Sequence, residues 1–300
     1  MRRREKIKDT LTCYLFIAPA LFFFTLFIGG PILVNLFVLS FTRYNILNPP
    51  QFIGFQNFSE FFRDPMSGKI FYNTVKYAVI LLTAHLIIGL LLALGVFREK
   101  NKKLRYFYRT AIYFPSIVST ASVAIAWAYM YDKDYGVINY FLQKIGIINE
   151  GIPWLTSTKW SIPAVAIFSI WKFVGNNFLY YLVGLQNIPT SCYEAALIDG
   201  ATPLQIFRYI ILPLLTPTIF FVSTILLIGT MQIFDEPYLI THGGPGDSSR
   251  TIALYIYEKA FKYYDMGYAS TIASVLFILL LILTILQFVM QKKWVIYEYE

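Results

Sequence analysis

The sequence predicts an all-α membrane protein with six transmembrane helices, and three observations carry that expectation. Of 300 residues, 57% are hydrophobic and 14% are charged, whereas roughly a quarter are charged in ordinary soluble domains. The apolar residues gather into long runs of membrane-crossing length, separated by shorter mixed stretches. The formal charge of +8 is concentrated beside those runs, which ties it to membrane orientation rather than to nucleic acid.

Residues 1–10 form a basic head with Arg2, Arg3, Arg4, Lys6 and Lys8, expected in the cytoplasm, and residues 11–300 form a single transmembrane domain. The first span covers about 11–41. Ala18-Pro19-Ala20 imitates a signal-peptidase site, yet the apolar run continues far past the ~7–15 residues of a signal-peptide core, so the span is expected to stay uncleaved. From Thr42 to Ile70 the composition is mixed, and Phe58, Phe61 and Phe62 at helical spacing predict a short amphipathic helix on the outer membrane surface.

The second span, about 72–97, runs into Arg98, Lys100, Lys102, Lys103, Arg105 and Arg109, a density of cations that marks the cytoplasmic side. The third, about 108–131, carries Pro115 with Ser116, Ser119, Thr120 and Ser122, small hydroxylated residues suited to helix contacts in membranes. An outer loop follows, with a short helix expected around Val137 to Ile145. The remaining spans are placed at about 160–183, 213–234 and 268–290, the last ending at Lys292-Lys293. Six spans put both termini on one side, which the basic clusters make the cytoplasm. No internal repeat is visible.

The segment 186–213, between the fourth and fifth spans, has more specific local rules. Ser191 with Glu194, and Thr202-Pro203 with Gln205, are two capping-box patterns, and Asp199-Gly200 between them can close one helix before the next begins. The result is a helical hairpin. Its basic content is too low for a DNA reader, with Arg208 alone.

Within the spans, Ser169, Lys172, Asn176 and Tyr180 fall on one face of the fourth helix, with Trp171, Phe173 and Phe178 around them and Asn177 adjacent. Polar residues in hydrocarbon face a bundle interior or a water-filled cavity. Amides beside aromatic rings suit a sugar, with its apolar face on the ring and its hydroxyls on the amides. Interhelical packing, with Lys172 snorkelling or paired, is the competing account. Thr224, Gln232, Asp235 and Glu236 lie near one face of the fifth span, where a role in interfacial solvation is equally open. His85 lacks a second ligand at metal spacing and is read as a buried hydrogen-bonding residue. Cys13 and Cys192 form neither a disulfide framework nor a zinc site. Gly68-Lys69 is followed by Ile70, so no phosphate-binding loop of the nucleotide-hydrolase type is present.

The spaced pattern Glu194, Ala195, Ala196, Asp199, Gly200, then Ile211, Leu212, Pro213 resembles the cytoplasmic coupling loop of ABC importer permeases. Thr241-His242-Gly243-Gly244-Pro245, then Tyr255-Ile256-Tyr257 and Ala260-Phe261, together with the Gly54 to Phe58 run and Asn73-Thr74, are similar to the carbohydrate branch of that family, the type found in maltose and glycerol-phosphate systems. The extra N-terminal spans of the enterobacterial maltose subunit are absent from the pattern.

The resemblance implies a type I importer permease fold and a chain that is not itself an enzyme. It would pair with a second permease subunit, two copies of a cytoplasmic ATPase and an extracellular or periplasmic sugar-binding protein in a bacterial or archaeal plasma membrane. Glu194 to Gly200, with Leu212 and Pro213, would couple to the ATPase, and Gly243, Gly244 and Pro245 would meet the binding protein. Trp171, Lys172, Phe173, Asn176, Asn177, Gln232 and Asp235 are the candidate pathway residues. No metal or cofactor is implied. The alternatives are a permease for a non-sugar solute such as glycerol phosphate, or a proton-coupled transporter using Lys172, His85 and Asp235. An intramembrane enzyme lacks paired carboxylates or a nucleophile motif.

Overall fold

The computed structural model describes residues 2–296, and among these the side chains other than those of residues 2–9 and 11. The basic side chains of the head and Leu11 thus lie outside what is described. The described residues are mostly helical. Among the described residues, four helical stretches are long and apolar enough to cross a membrane alone: Thr12–Phe41, Pro65–Arg98, Ser161–Gln186 and Met266–Gln291. Two more spans are helix pairs bent by 95° and 63°, and counting each as one gives six.

The chain divides into two compact units, Met1–Asp64 with Ile256–Phe277, and Pro65–Tyr255 with Ile278–Glu300. In the first, α1 (Arg2–Phe24) passes through a π-helical turn into α2 (Gly30–Phe37), and the 18-residue apolar window of this span is wholly unburied. A β-hairpin follows, β1 (Thr42–Asn45) against β2 (Asn48–Phe52), in a stretch whose composition reads only as mixed. Pro49 and Pro50 argue against a strand, but β2 is an exposed edge that needs no donor from them, and Asn45 closes the turn by accepting from the Asn48 amide at 2.8 Å. The expected amphipathic helix is α3 (Gln56–Arg63). Its buried Asn57 donates to Ser40 O and Thr42 O at 3.3 and 2.9 Å, which explains an amide in that run of phenylalanines.

In the second unit α4 (Pro65–Arg98) begins seven residues before the expected start of the second span. The third span is broken: α5 (Lys102–Ile117) ends, Val118 and Ser119 are extended, and α6 (Thr120–Met130) leaves at 95°. A helix that stops inside the membrane leaves carbonyls without partners. Here the Lys172 ammonium takes Pro115 O and Val118 O, at 2.5 Å each, while Ser116 Oγ donates to Lys172 O at 2.9 Å.

The loop beyond contains the expected short helix, α7 (Val137–Lys144). It is knit by Asn139, whose amide donates to Lys133 O and Ile152 O and accepts from Trp154 Nε1 at 2.9 Å.

The fourth span, α8 (Ser161–Gln186), is the most buried of the four unbroken spans. It touches α5 at Gly175, where a Cβ would lie 2.6 Å from Ile112 O. The hairpin is α9 (Thr190–Ile198) and α10 (Pro203–Ile206), and α10 does not stop: a π turn at Phe207–Ile211 carries it through α11 (Leu212–Leu214) to a 63° bend before α12 (Thr216–Met231). Thus the fifth span is fed by a helix that starts ten residues before its expected beginning. Proline explains both irregularities. Pro213 has no N–H for the preceding turn, which widens so that the Leu212 amide bonds Phe207 O. Pro217 cannot bond Pro213 O, and the Thr216 hydroxyl takes that carbonyl at 2.6 Å instead. The chain closes with α13 (Ile252–Tyr257) and α14 (Met266–Gln291), the expected sixth span.

Candidate functional site

A cavity of about 290 Å³ opens among α4, α8 and α12, near the small end of ligand-pocket sizes. Its polar wall is Ser169, Asn176, Asn177 and Tyr180 from α8, His85 from α4, and Thr230 and Glu236 from the fifth span and its end. Phe173 supplies the aromatic surface. The α8 members recur at steps of four, three, one and three residues, one face of a helix. His85 is 3% exposed and its Nδ1 has no partner, and Asn177 is 4% exposed. Glu236 is buried, with Oε1 accepting from Ser169 Oγ at 2.9 Å.

Of the candidate pathway residues, Phe173, Asn176 and Asn177 line this cavity, and Trp171, Lys172, Gln232 and Asp235 do not. Trp171 leans on Trp127 with ring centroids 5.2 Å apart. Lys172 turns to the break in the third span. Gln232 and Asp235 are exposed outside the cavity, beyond the end of α12 at Met231. Helical spacing extrapolated through that break selects Asp235, while the chain actually turns Glu236 inward.

The hairpin is built by local chemistry. Ser191 and Glu194 do not form a capping box, since Pro189, with extended ψ of 132°, is the residue that starts α9 and Ser191 is already inside it. The second box is formed: Thr202 caps α10 with Gln205 reciprocating, and the Thr202 amide donates to Gln205 Oε1 at 2.7 Å. Between them Gly200 adopts φ +75°. The Gly200 amide bonds Leu197 O and the Ala201 amide bonds Ala196 O, the paired closure of a Schellman turn. Ala196 is buried, whereas Glu194, Ala195, Asp199 and Gly200 are exposed. Leu197 and Ile198 are also bare, at 64% and 86% exposure. The base of the hairpin is seated through Tyr193, Ile206 and Phe207 on the core that contains Phe178 and Leu185 of α8. Leu212 and Pro213 are half-buried in the connecting helix.

The turn after the fifth span is held by α4. Asn73 Nδ2 donates to Asp247 O and Arg250 O at 2.8 and 3.1 Å, Thr74 Oγ1 accepts from the Ile252 amide at 2.9 Å, and Lys69 bonds Gly246 O at 2.5 Å. Asp247 pairs with Arg250 within the turn. Gly243 is buried beneath it, and Gly244 and Pro245 are half-buried at its edge.

Residues 85–295 match the family model of the binding-protein-dependent transport system inner membrane component. The chain belongs to this family of ABC importer permeases. Among its relatives, the probable ABC transporter permease YurN of Bacillus subtilis is 36% identical over 91% of this chain and 94% of its own. The lactose transport system permease LacF of Rhizobium radiobacter is 36% identical over 92% of each. A chain of a crystallised bacterial ABC transporter that imports the acidic polysaccharide alginate superposes with a TM-score of 0.84 at 24% identity, covering 98% of this permease and 99% of that chain. That likeness bears on the fold.

Sequence reasoning underused three residues of this permease: Glu236, His85 and Tyr193. Glu236 carried a signal, being a carboxylate beside a span, but the choice between it and Asp235 depends on where the helix breaks. Tyr193 looks like hairpin filler, yet its ring meets Phe97 at 6.2 Å and seats the hairpin against the end of α4.

Proposed function

We propose that this permease is one of two membrane subunits of an ATP-driven sugar importer in a bacterial or archaeal plasma membrane, with both termini in the cytoplasm. Its cavity forms part of the solute path. Its hairpin docks in a separate ATPase, and its outer turn, Gly243 to Pro245, meets a binding protein that delivers the sugar.

The observation that carries the proposal is one continuous connection. The exposed knob Glu194 to Gly200 passes through a capped turn into the helix of α10 and α11, and after the 63° bend that helix becomes α12, a wall of the cavity. Exposed Leu197 and Ile198 beside the Glu194 carboxylate offer a partner an apolar contact with a charged edge. For the solute, the support is the combination of Phe173 with the Asn176 and Asn177 amides, and the naming of relatives as lactose and arabinooligosaccharide permeases.

The test is uptake by the complete importer in liposomes. Asn176→Ala and Phe173→Ala are expected to lower uptake about tenfold, the loss of one or two hydrogen bonds or ring contacts, with the ATPase still bound. Trp171→Ala, outside the cavity, is expected to keep uptake in whatever fraction stays folded. Normal uptake in both cavity variants overturns the assignment of the path.

A further inference from the structure

The 63° bend that joins the helix of the hairpin to α12 is met by the short segment that follows α14. Where α14 ends, at Gln291, the chain turns at once. The Lys293 amide bonds Met290 O at 3.1 Å, and the Trp294 and Val295 amides bond Gln291 O at 3.1 and 2.9 Å. Residues 294–296 then lie against the fifth span. Trp294 meets the Phe220 ring edge to face at 6.2 Å, and Phe288 of α14 meets the same ring at 5.1 Å. Further along α12, Gln287 Nε2 donates to Ser223 Oγ at 2.8 Å. Thr216, Phe220 and Ser223, at steps of four and three, make one face of that helix.

The contact at Thr216 bears on the bend itself. Its hydroxyl replaces the donor that Pro217 lacks, giving its proton to Pro213 O at 2.6 Å, and the same oxygen accepts from the Ile296 amide at 3.0 Å. A hydroxyl has one proton and two lone pairs. An amide aimed at the oxygen directs the proton to the carbonyl across the bend, and each bond strengthens the other. Proline has removed the backbone bond that would keep a helix stiff here, so side chains carry the resistance to a change of angle.

We infer that Trp294 and Ile296 are positioning residues for transport: they brace the bend, so that a displacement of the hairpin reaches α12 and the cavity wall instead of being absorbed on the way. This role rests on the hairpin being the element that the ATPase moves. Ile296 is 51% exposed, and what it contributes is its N–H. Trp294 is 39% exposed, so it can be replaced without opening the core.

The experiment reads the bend directly in the complete importer, with Cys13 and Cys192 replaced. Spin labels go on Tyr209→Cys and Ile225→Cys, which are 69% and 41% exposed on either side of the bend. Double electron-electron resonance gives their distance distribution without nucleotide and after trapping with ATP and vanadate, with no sugar added. The native chain is expected to give one narrow distance that trapping leaves unmoved. Ile296→Pro deletes the N–H and is expected to raise the share of a second distance about two- to tenfold, the ordinary contribution of one hydrogen bond, and to make the distribution shift on trapping. Ile296→Ala, which keeps the N–H, should match the native chain. Trp294→Ala should behave as Ile296→Pro does and Trp294→Phe should restore the narrow distance, a pair that decides the matter if Ile296→Pro does not assemble.

A native distance that moves on trapping, or Ile296→Pro and Trp294→Ala distributions as narrow as the native one, overturns the brace and leaves the docking of the hairpin untouched. Ile296→Ala as broad as Ile296→Pro overturns the part given to the N–H. A loosened bend whose distance ignores trapping overturns the role in coupling, and with it the hairpin as the element that the ATPase moves.

Discussion

At the scale of single residues, two positions make opposite demands, one for a buried charge and one for a backbone conformation. Lys172 is a charge in the middle of a span, usually the sign of a transport path, yet it takes over the partnerless carbonyls of a helix that breaks. Lys172→Met is therefore expected to cost about 2–4 kcal/mol, the penalty for leaving buried acceptors unmet. Thermal unfolding in detergent would register this as a lower Tm, and an unchanged Tm would return Lys172 to the list of path residues. Gly200 is the opposite case, an exposed residue with open space around its Cα. Its demand is conformational, since φ is +75° and a β-branched residue there costs on the order of 1–2 kcal/mol or more. Gly200→Val is expected to uncouple binding-protein-stimulated ATP hydrolysis from uptake in the reconstituted importer. Gly200→Asn, which tolerates that conformation, should keep most of the coupling, and equal behaviour of the two variants would remove the turn from the mechanism.

At the scale of elements, what was legible in the sequence was what local chemistry decides. The Thr202 cap and the Gly200 stop were legible because their partners lie within four residues. The Ser191 box failed because Pro189 fixes the start of α9 two residues earlier. The β-hairpin was hidden by two prolines that only an exposed edge strand tolerates. The inward turn of Glu236 was hidden by the end of α12 at Met231, since spacing rules hold only inside an unbroken helix. The fifth span gives an element-scale prediction. Pro217→Ala restores the missing donor for Pro213 O, now held by Thr216 at 2.6 Å, and should straighten the 63° bend. Insertion should be normal while uptake falls in parallel with stimulated hydrolysis. A variant with native uptake would show that the bend does not transmit the movement of the hairpin. Glu194→Lys, which leaves every backbone bond in place, should instead weaken ATPase co-purification.

At the scale of the whole molecule, the proposed orientation, with both termini in the cytoplasm, makes a labelling pattern. In a chain whose Cys13 and Cys192 have been replaced, a cysteine at Tyr135, 92% exposed in the α6–α7 loop, should react with an impermeant maleimide on intact cells. One at Lys102 should react only after permeabilisation, and the reverse pattern overturns the orientation. Ser248 is a poor reporter for the outer face, being buried against Ser161 at 2.8 Å. The helix α4 has a further consequence for this orientation. Its 34 residues make a rod about 51 Å long at 1.5 Å per residue, well beyond the ~30 Å of hydrocarbon. Near one end Asn73 and Thr74 grip the turn at 247–252, and at the other Phe97 abuts Tyr193 of the hairpin. If the proposed docking of the outer turn and of the hairpin holds, the two events pull on opposite ends of one helix, and a shift imposed at either end is felt as strain at the other.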